Sequence, residues 1–227
     1  MPDFHTLNII AHITTGSLAI LAGLLILSRP KGDKVHRMTG RITLTLAILC
    51  VSTALIGAFI FRGKLDLMGA SLIISYNLWA GMRALKLRDN GRRTADLVPA
   101  IGVFILGVGL VALSQFTERL NWPLTLVYSI AGSLLTFGAW DMIRTLLPSR
   151  WRLWLNPAEH AFRMTGLIGA LASVAAATLA PSPYVALGVS GVGTLIAFVF
   201  AFRAARKALG VTPSTALNAR LKADSEL

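Results

Sequence analysis

The chain has 227 residues, 55% of them hydrophobic and only 14% charged, with a mean hydropathy of +0.67 and a formal net charge of +12. A water-soluble domain of this length needs far more charge to cover its surface, so a soluble fold is excluded. Nucleic-acid binding is excluded by distribution: the basic residues sit in short loops between apolar runs, with no aromatic-interleaved basic surface beside them.

Seven apolar runs follow in chain order, each close to the ~20 residues that cross a bilayer at about 1.5 Å per residue. They are predicted at Leu7 to Ser28, Met38 to Phe61, Leu65 to Lys86, Leu97 to Ser114, Trp122 to Leu146, Ala158 to Ala180 and Tyr184 to Lys207. No polar stretch is long enough to bury a second core. The expectation is therefore an all-α integral membrane protein: one seven-helix domain over 1–210, then a polar cytoplasmic tail over 211–227. In that tail Thr212 and Pro213 could start a short helix. The first run has Asp3 before it and no Lys or Arg, so it reads as a retained helix and not as a cleavable signal.

The connections set the orientation. One side carries Arg29, Lys31, Lys34, Arg37 and Arg41, then Arg83, Lys86, Arg88, Arg92 and Arg93. It also carries Arg144, Arg150, Arg152 and Arg163, and finally Arg203, Arg206, Lys207, Arg220 and Lys222. The other side has Arg62, Lys64 and Arg119. Positive charge collects on the cytoplasmic side, which puts the N-terminus outside and the C-terminus inside. Seven spans, an odd number, require the same result. The expected location is a bacterial inner membrane, with the lipid bilayer as the one assured partner.

One phrase occurs twice. Arg37-Met38-Thr39-Gly40 opens the second run, and Arg163-Met164-Thr165-Gly166 is expected to open the sixth, in the same direction. Gly16-Ser17-Leu18 and Gly132-Ser133-Leu134 repeat between the first and fifth runs, four residues after His12 and Tyr128. Together these matches suggest a parallel 3+1+3 repeat, with units over 7–86 and 122–207 and a linking helix at 97–114. The bland account of the same residues is also sufficient. Arginine at a helix start meets lipid phosphate, and Thr-Gly permits close helix approach.

The residues His12-x3-Gly16, Gly23, Lys31-Gly32, His36-Arg37-x2-Gly40-Arg41 and the later Glu159-His160 with Arg163-Met164 carry a resemblance. The pattern resembles a family of bacterial polytopic inner-membrane proteins built on a domain of unknown function. The resemblance implies a multi-pass fold and no activity.

Ionisable and polar groups within the apolar runs are the candidates for chemistry. His12, Tyr128, Asn77 and Asp141 are candidates for binding a small solute or moving a proton. Their structural alternative is helix-to-helix hydrogen bonding, with Asp141 simply pairing Arg144 three residues on. His36, Arg37, Arg41, His160 and Arg163 are expected at the cytoplasmic face, contacting anions or headgroups. His36 and His160 could instead hold haem b between them, though the outer face offers Tyr128 where a second histidine pair would need a partner. Cys50 is the single cysteine, so neither an intrachain disulfide nor a thiolate cluster can form, and no metal centre is expected. HExxH, GxSxG and P-loop patterns are absent, and no reaction can be read from the residues. Solute binding or transport leads, with a haem-dependent redox protein and a non-catalytic assembly protein as alternatives.

Overall fold

The computed structural model describes residues 3–61, 65–87, 91, 93–116, 124–180 and 182–210. It is helical throughout, with no strand among the described residues. The seven helices are α1 (Phe4–Ser28), α2 (Lys34–Phe59), α3 (Leu65–Leu87), α4 (Leu97–Phe116), α5 (Leu124–Ile143), α6 (Arg152–Leu179) and α7 (Pro183–Gly210). Six of them, all but α3, are long and apolar enough to cross a membrane. The basic residues of the far side, Arg62, Lys64 and Arg119, lie outside the described residues, as do Arg88, Arg92 and the tail after Gly210.

Local signals place the first two helices. Asp3 caps α1, accepting from the Thr6 N–H at 2.7 Å, and Asp33 caps α2, accepting from the His36 N–H at 2.6 Å. Between them Gly32 takes φ +92°, which an L side chain rarely adopts. Lys31 Nζ donates to the carbonyls of Ile26 and Leu27 at the end of α1, where Ile26 O also accepts from the Arg29 N–H. Arg37 Nη1 donates back to Gly32 O at 3.0 Å. The first of the repeated phrases is therefore the start of a helix held by its own turn.

The second phrase is placed differently. α6 begins at Arg152, ahead of the expected start and with Pro157 inside it, so Arg163 stands eleven residues into the helix. At about 1.5 Å per residue that is roughly 16 Å from the helix start. Arg37 is exposed, whereas Arg163 is 1% exposed. The aligned glycines differ too. A Cβ on Gly16 or Gly40 would press on Cys50 or Ile26, while Gly132 and Gly166 have open space around them. Close approach thus explains Thr-Gly only in the first copy.

Helix pairing follows the chain in hairpins: α1 with α2, α4 with α5, and α6 with α7. α3 sits centrally, against α2, α5 and α6. In the two proposed repeat units the pairings are not the same, since α1 pairs with α2 but its counterpart α5 pairs with α4. α3 is the least apolar of the seven, with Asp66, Ser71, Ser75, Tyr76 and Asn77 in its sequence. Burial explains how it tolerates them: Ser71, Ile74, Tyr76, Asn77, Leu78, Ala80 and Ala84 are all inside the bundle. Polar side chains that would be costly against lipid find protein partners there.

Small residues set the closest crossings. Gly169 of α6 faces Gly193 of α7 backbone to backbone, and Gly138 of α5 faces the Ala100–Phe104 backbone of α4. Gly81 of α3 lies against the Cβ of Arg163, which brings α6 onto α3. An apolar cluster of Ala19, Ala47, Cys50, Ile74, Leu78 and Leu167, with neighbours, fills the space among α1, α2, α3 and α6.

The contacts also gather the basic connections at one end of the bundle. Lys31 lies over the Phe200 ring at 4.7 Å, Gly91 meets the Arg152 guanidinium, and His160 bonds Gly81. At the same end Arg83 grips Asp96 through Nε at 2.7 Å and Nη2 at 3.0 Å, and Asp96 also accepts from the Arg93 N–H. This staple fastens the end of α3 to the start of α4.

Candidate functional site

A connected set of polar side chains is buried where α3, α5 and α6 meet. Asp141, near the end of α5, is fully buried. Its Oδ1 accepts from Arg163 Nη2 at 2.8 Å, and its Oδ2 accepts from the Tyr76 hydroxyl. Arg163 Nη1 donates to Asn77 Oδ1 at 3.1 Å, and Nη2 lies 3.3 Å from Glu159 Oε1. The Asn77 amide is oriented by donating to Ile73 O at 3.1 Å. The Arg163 guanidinium also lies over the rings of Phe137 at 4.6 Å and Tyr76 at 5.4 Å.

The set continues toward the basic end. Glu159 Oε2 pairs with Arg144 Nη1, and Arg144 Nη2 donates to Asn156 Oδ1. Arg144 belongs to the single 3₁₀ turn Arg144–Leu146 that follows α5. Asn156, Glu159 and Arg163 recur at helical spacing, so they form one face of α6. Two carboxylates and two guanidiniums, all buried, balance in formal charge. Buried charges persist only when paired and hydrogen-bonded in this way.

Beyond Arg163 the polar set stops. Leu167, one turn further along α6, belongs to the apolar cluster, and Cys50 stands at that cluster's other side. There His12 donates through Nδ1 to Cys50 O at 3.0 Å and lies 3.2 Å from Thr53 Oγ1. Nearby Asn8 donates to Thr53 O at 3.0 Å. These bonds tie α1 to α2. Tyr128 is half exposed and its hydroxyl accepts from Gln115 of α4 at 2.8 Å. His12 and Tyr128 are thus each bonded to a different neighbouring helix.

The expected cytoplasmic-face group also divides. Arg37 and Arg41 are exposed, with Arg37 engaged in its turn. Arg163 does not reach the surface; it is the centre of the buried set, drawn inward because α6 starts earlier than its hydropathy suggests. His160 donates through Nδ1 to Gly81 O at 3.0 Å, fixing its ring against α3. His36 Nδ1 is buried without a hydrogen-bond partner among the described residues.

Asp141 and Asn77 are thus brought together, but through Arg163. Asp141 pairs with Arg163 of α6 and Arg144 pairs with Glu159, in place of the local Asp141–Arg144 pair. Glu159, Arg144, Asn156 and Tyr76 complete the site. Their signal in the sequence was the spacing of Asn156, Glu159 and Arg163 on one stripe of an otherwise apolar helix. Among the described residues no three His, Cys, Asp or Glu side chains group as a metal site. No family model, curated protein or solved structure matches the chain.

Proposed function

We propose that this chain is a seven-span inner-membrane protein that binds and carries a small solute, with the Tyr76–Asp141–Arg163–Glu159–Arg144 set as its working centre. The observation that carries the reading is that set itself: ionisable groups at the heart of an apolar bundle, linked in series and reaching one end only. Ionisable residues within a membrane are expensive and usually mark a pathway or a relay. An apolar layer closing the other side is what a carrier needs to avoid a leak. In this reading α3 also spans, which makes seven, the basic end faces the cytoplasm and the N-terminus lies outside. The resemblance to bacterial inner-membrane proteins agrees with that location. The two RMTG phrases support a 3+1+3 ancestry, with helix pairings that have since diverged.

Purified protein in liposomes, adsorbed to a solid-supported membrane, tests this with pulses of amino acids, carboxylates, phosphates, cations and protons. At least one class should give a current from the unaltered chain. Asp141→Asn, which keeps the shape, should lower that current tenfold or more while the protein stays folded. Silence for every class, or equal currents from Asp141→Asn, removes the transport reading.

A second reading, haem b between His36 and His160, draws on one observation. The Gly81 carbonyl fixes the His160 tautomer and ring, as second-shell partners do for iron-binding histidines. Haem would supply one-electron chemistry. An absorption spectrum before and after dithionite decides it. A Soret band lost in His160→Ala supports haem, and a colourless protein from haem-replete cells rules it out.

A further inference from the structure

The inner end of the buried set is not sealed. Between α5 and α6, a cleft lined by Gly91, Arg144, Thr145, Trp151, Arg152 and Asn156 opens to the outside, with Leu147, Pro148 and Leu155 completing its wall. Two guanidiniums face it, and no acidic side chain lines it among the described residues. Arg144 is held in place by Glu159 and Asn156, with only 4% of its side chain exposed. Arg152 has no carboxylate partner among the described residues. Its guanidinium instead lies beside Gly91, where an added Cβ would fall 2.8–2.9 Å from its atoms. Gly91 is therefore a seat for Arg152.

Two further features leave this corner short of negative charge. α6 begins at Arg152 with no acidic residue in its first turn and no side-chain cap at Trp151. Its positive helix end coincides with two arginines, Arg150 and Arg152, which favours an anion there. The free volume of the cleft is about 30 Å³. At about 10–15 Å³ per water-sized group, that accommodates two oxygen-sized atoms and not an organic body.

We infer that the α5–α6 cleft is an oxyanion site: Arg152, Arg144, Asn156 and Thr145 receive the oxygens of a phosphate group whose remainder stays outside. The group could belong to a free phosphate or phosphoester, or to an anionic lipid headgroup; guanidiniums recognise both alike. The inference goes beyond the transport reading and does not need it. It is read by equilibrium binding, so binding without solute current would overturn transport and leave the site standing.

The test uses the full chain in neutral detergent, with inorganic phosphate titrated at constant ionic strength and binding followed by calorimetry. In parallel, native mass spectrometry follows retention of added phosphatidylglycerol against phosphatidylcholine. Arg152→Gln and Gly91→Ala are the variants, since neither touches the buried Asp141–Arg163 pair. Saturable phosphate binding that weakens tenfold or more in both variants identifies a soluble oxyanion. Selective phosphatidylglycerol retention, lost in both variants, identifies a headgroup. The site is overturned if neither ligand binds above background, or if both variants bind as the unaltered chain does.

Discussion

Arg163→Leu should unfold this protein more readily than any other single substitution in the bundle, at a cost of about 3–5 kcal/mol, the range for breaking a buried ion pair from one side. The side chain is 1% exposed and holds Asp141, Asn77 and Glu159 at once. Taking it away removes the counter-charge from the buried carboxylate of Asp141. Glu159 keeps Arg144. Asp141→Asn should cost less, because the amide still fits and Arg163 retains Glu159. The double variant Arg163→Leu, Asp141→Leu should regain part of the loss, since two apolar side chains replace two charges together. Melting in detergent, read as a double-mutant cycle, measures the coupling. Additive costs would mean that the two side chains do not act as a pair. The same double variant separates structure from function: a folded protein without solute current points to a working centre, and one with full current points to a brace.

The second large effect is expected where α6 and α7 cross. A Cβ placed on Gly169 lies 2.9 Å from the Cα of Gly193, and one placed on Gly193 lies 2.8 Å from the Cα of Gly169. Backbone cannot yield as a side chain can, so Gly169→Val must push the helices apart. Overpacking of this kind costs about 1–3 kcal/mol, and more when a whole helix interface shifts. Gly166, one turn earlier on α6, supplies the control. It has open space around it, so Gly166→Ala should be neutral or gain up to about 1 kcal/mol of helix propensity. Thermal unfolding of the two variants side by side checks the ranking. Equal losses at both positions would mean that the crossing is not where these glycines put it.

Residue by residue, the sequence reveals the two kinds of information unequally. The helices were legible because apolar runs of bilayer length leave few other solutions, and Asp3, Asp33 and Gly32 mark their turns locally. Asn77 and Asp141 stood out because each interrupts an apolar run. Arg163 was misplaced at the surface because its match to Arg37 outweighed its position. Its helix starts at Arg152 in a stretch with Trp151, Arg152, Trp154 and Asn156, too polar to count as membrane span. Glu159 was read as part of a signature and not as a charge needing a partner. Which arginine each carboxylate takes was not legible at all. Asp141 lies three residues from Arg144 and twenty-two from Arg163, and only the packing of α3, α5 and α6 makes the distant one the neighbour. The pairing of hairpins, which treats the two RMTG units differently, is likewise a tertiary fact with no local trace.

The central position of α3 has a consequence for how the chain is made. α3 emerges from the ribosome before α5 and α6 exist, yet those helices carry Asp141 and Arg163, which satisfy Tyr76 and Asn77. During synthesis it is the segment least able to partition into lipid unaided, and an apolar cluster joins it to its neighbours on the N-terminal side. The N-terminal half is therefore held in an unfinished state by its own most polar helix. Its polar side chains gain partners in two steps, Tyr76 when α5 brings Asp141 and Asn77 when α6 brings Arg163.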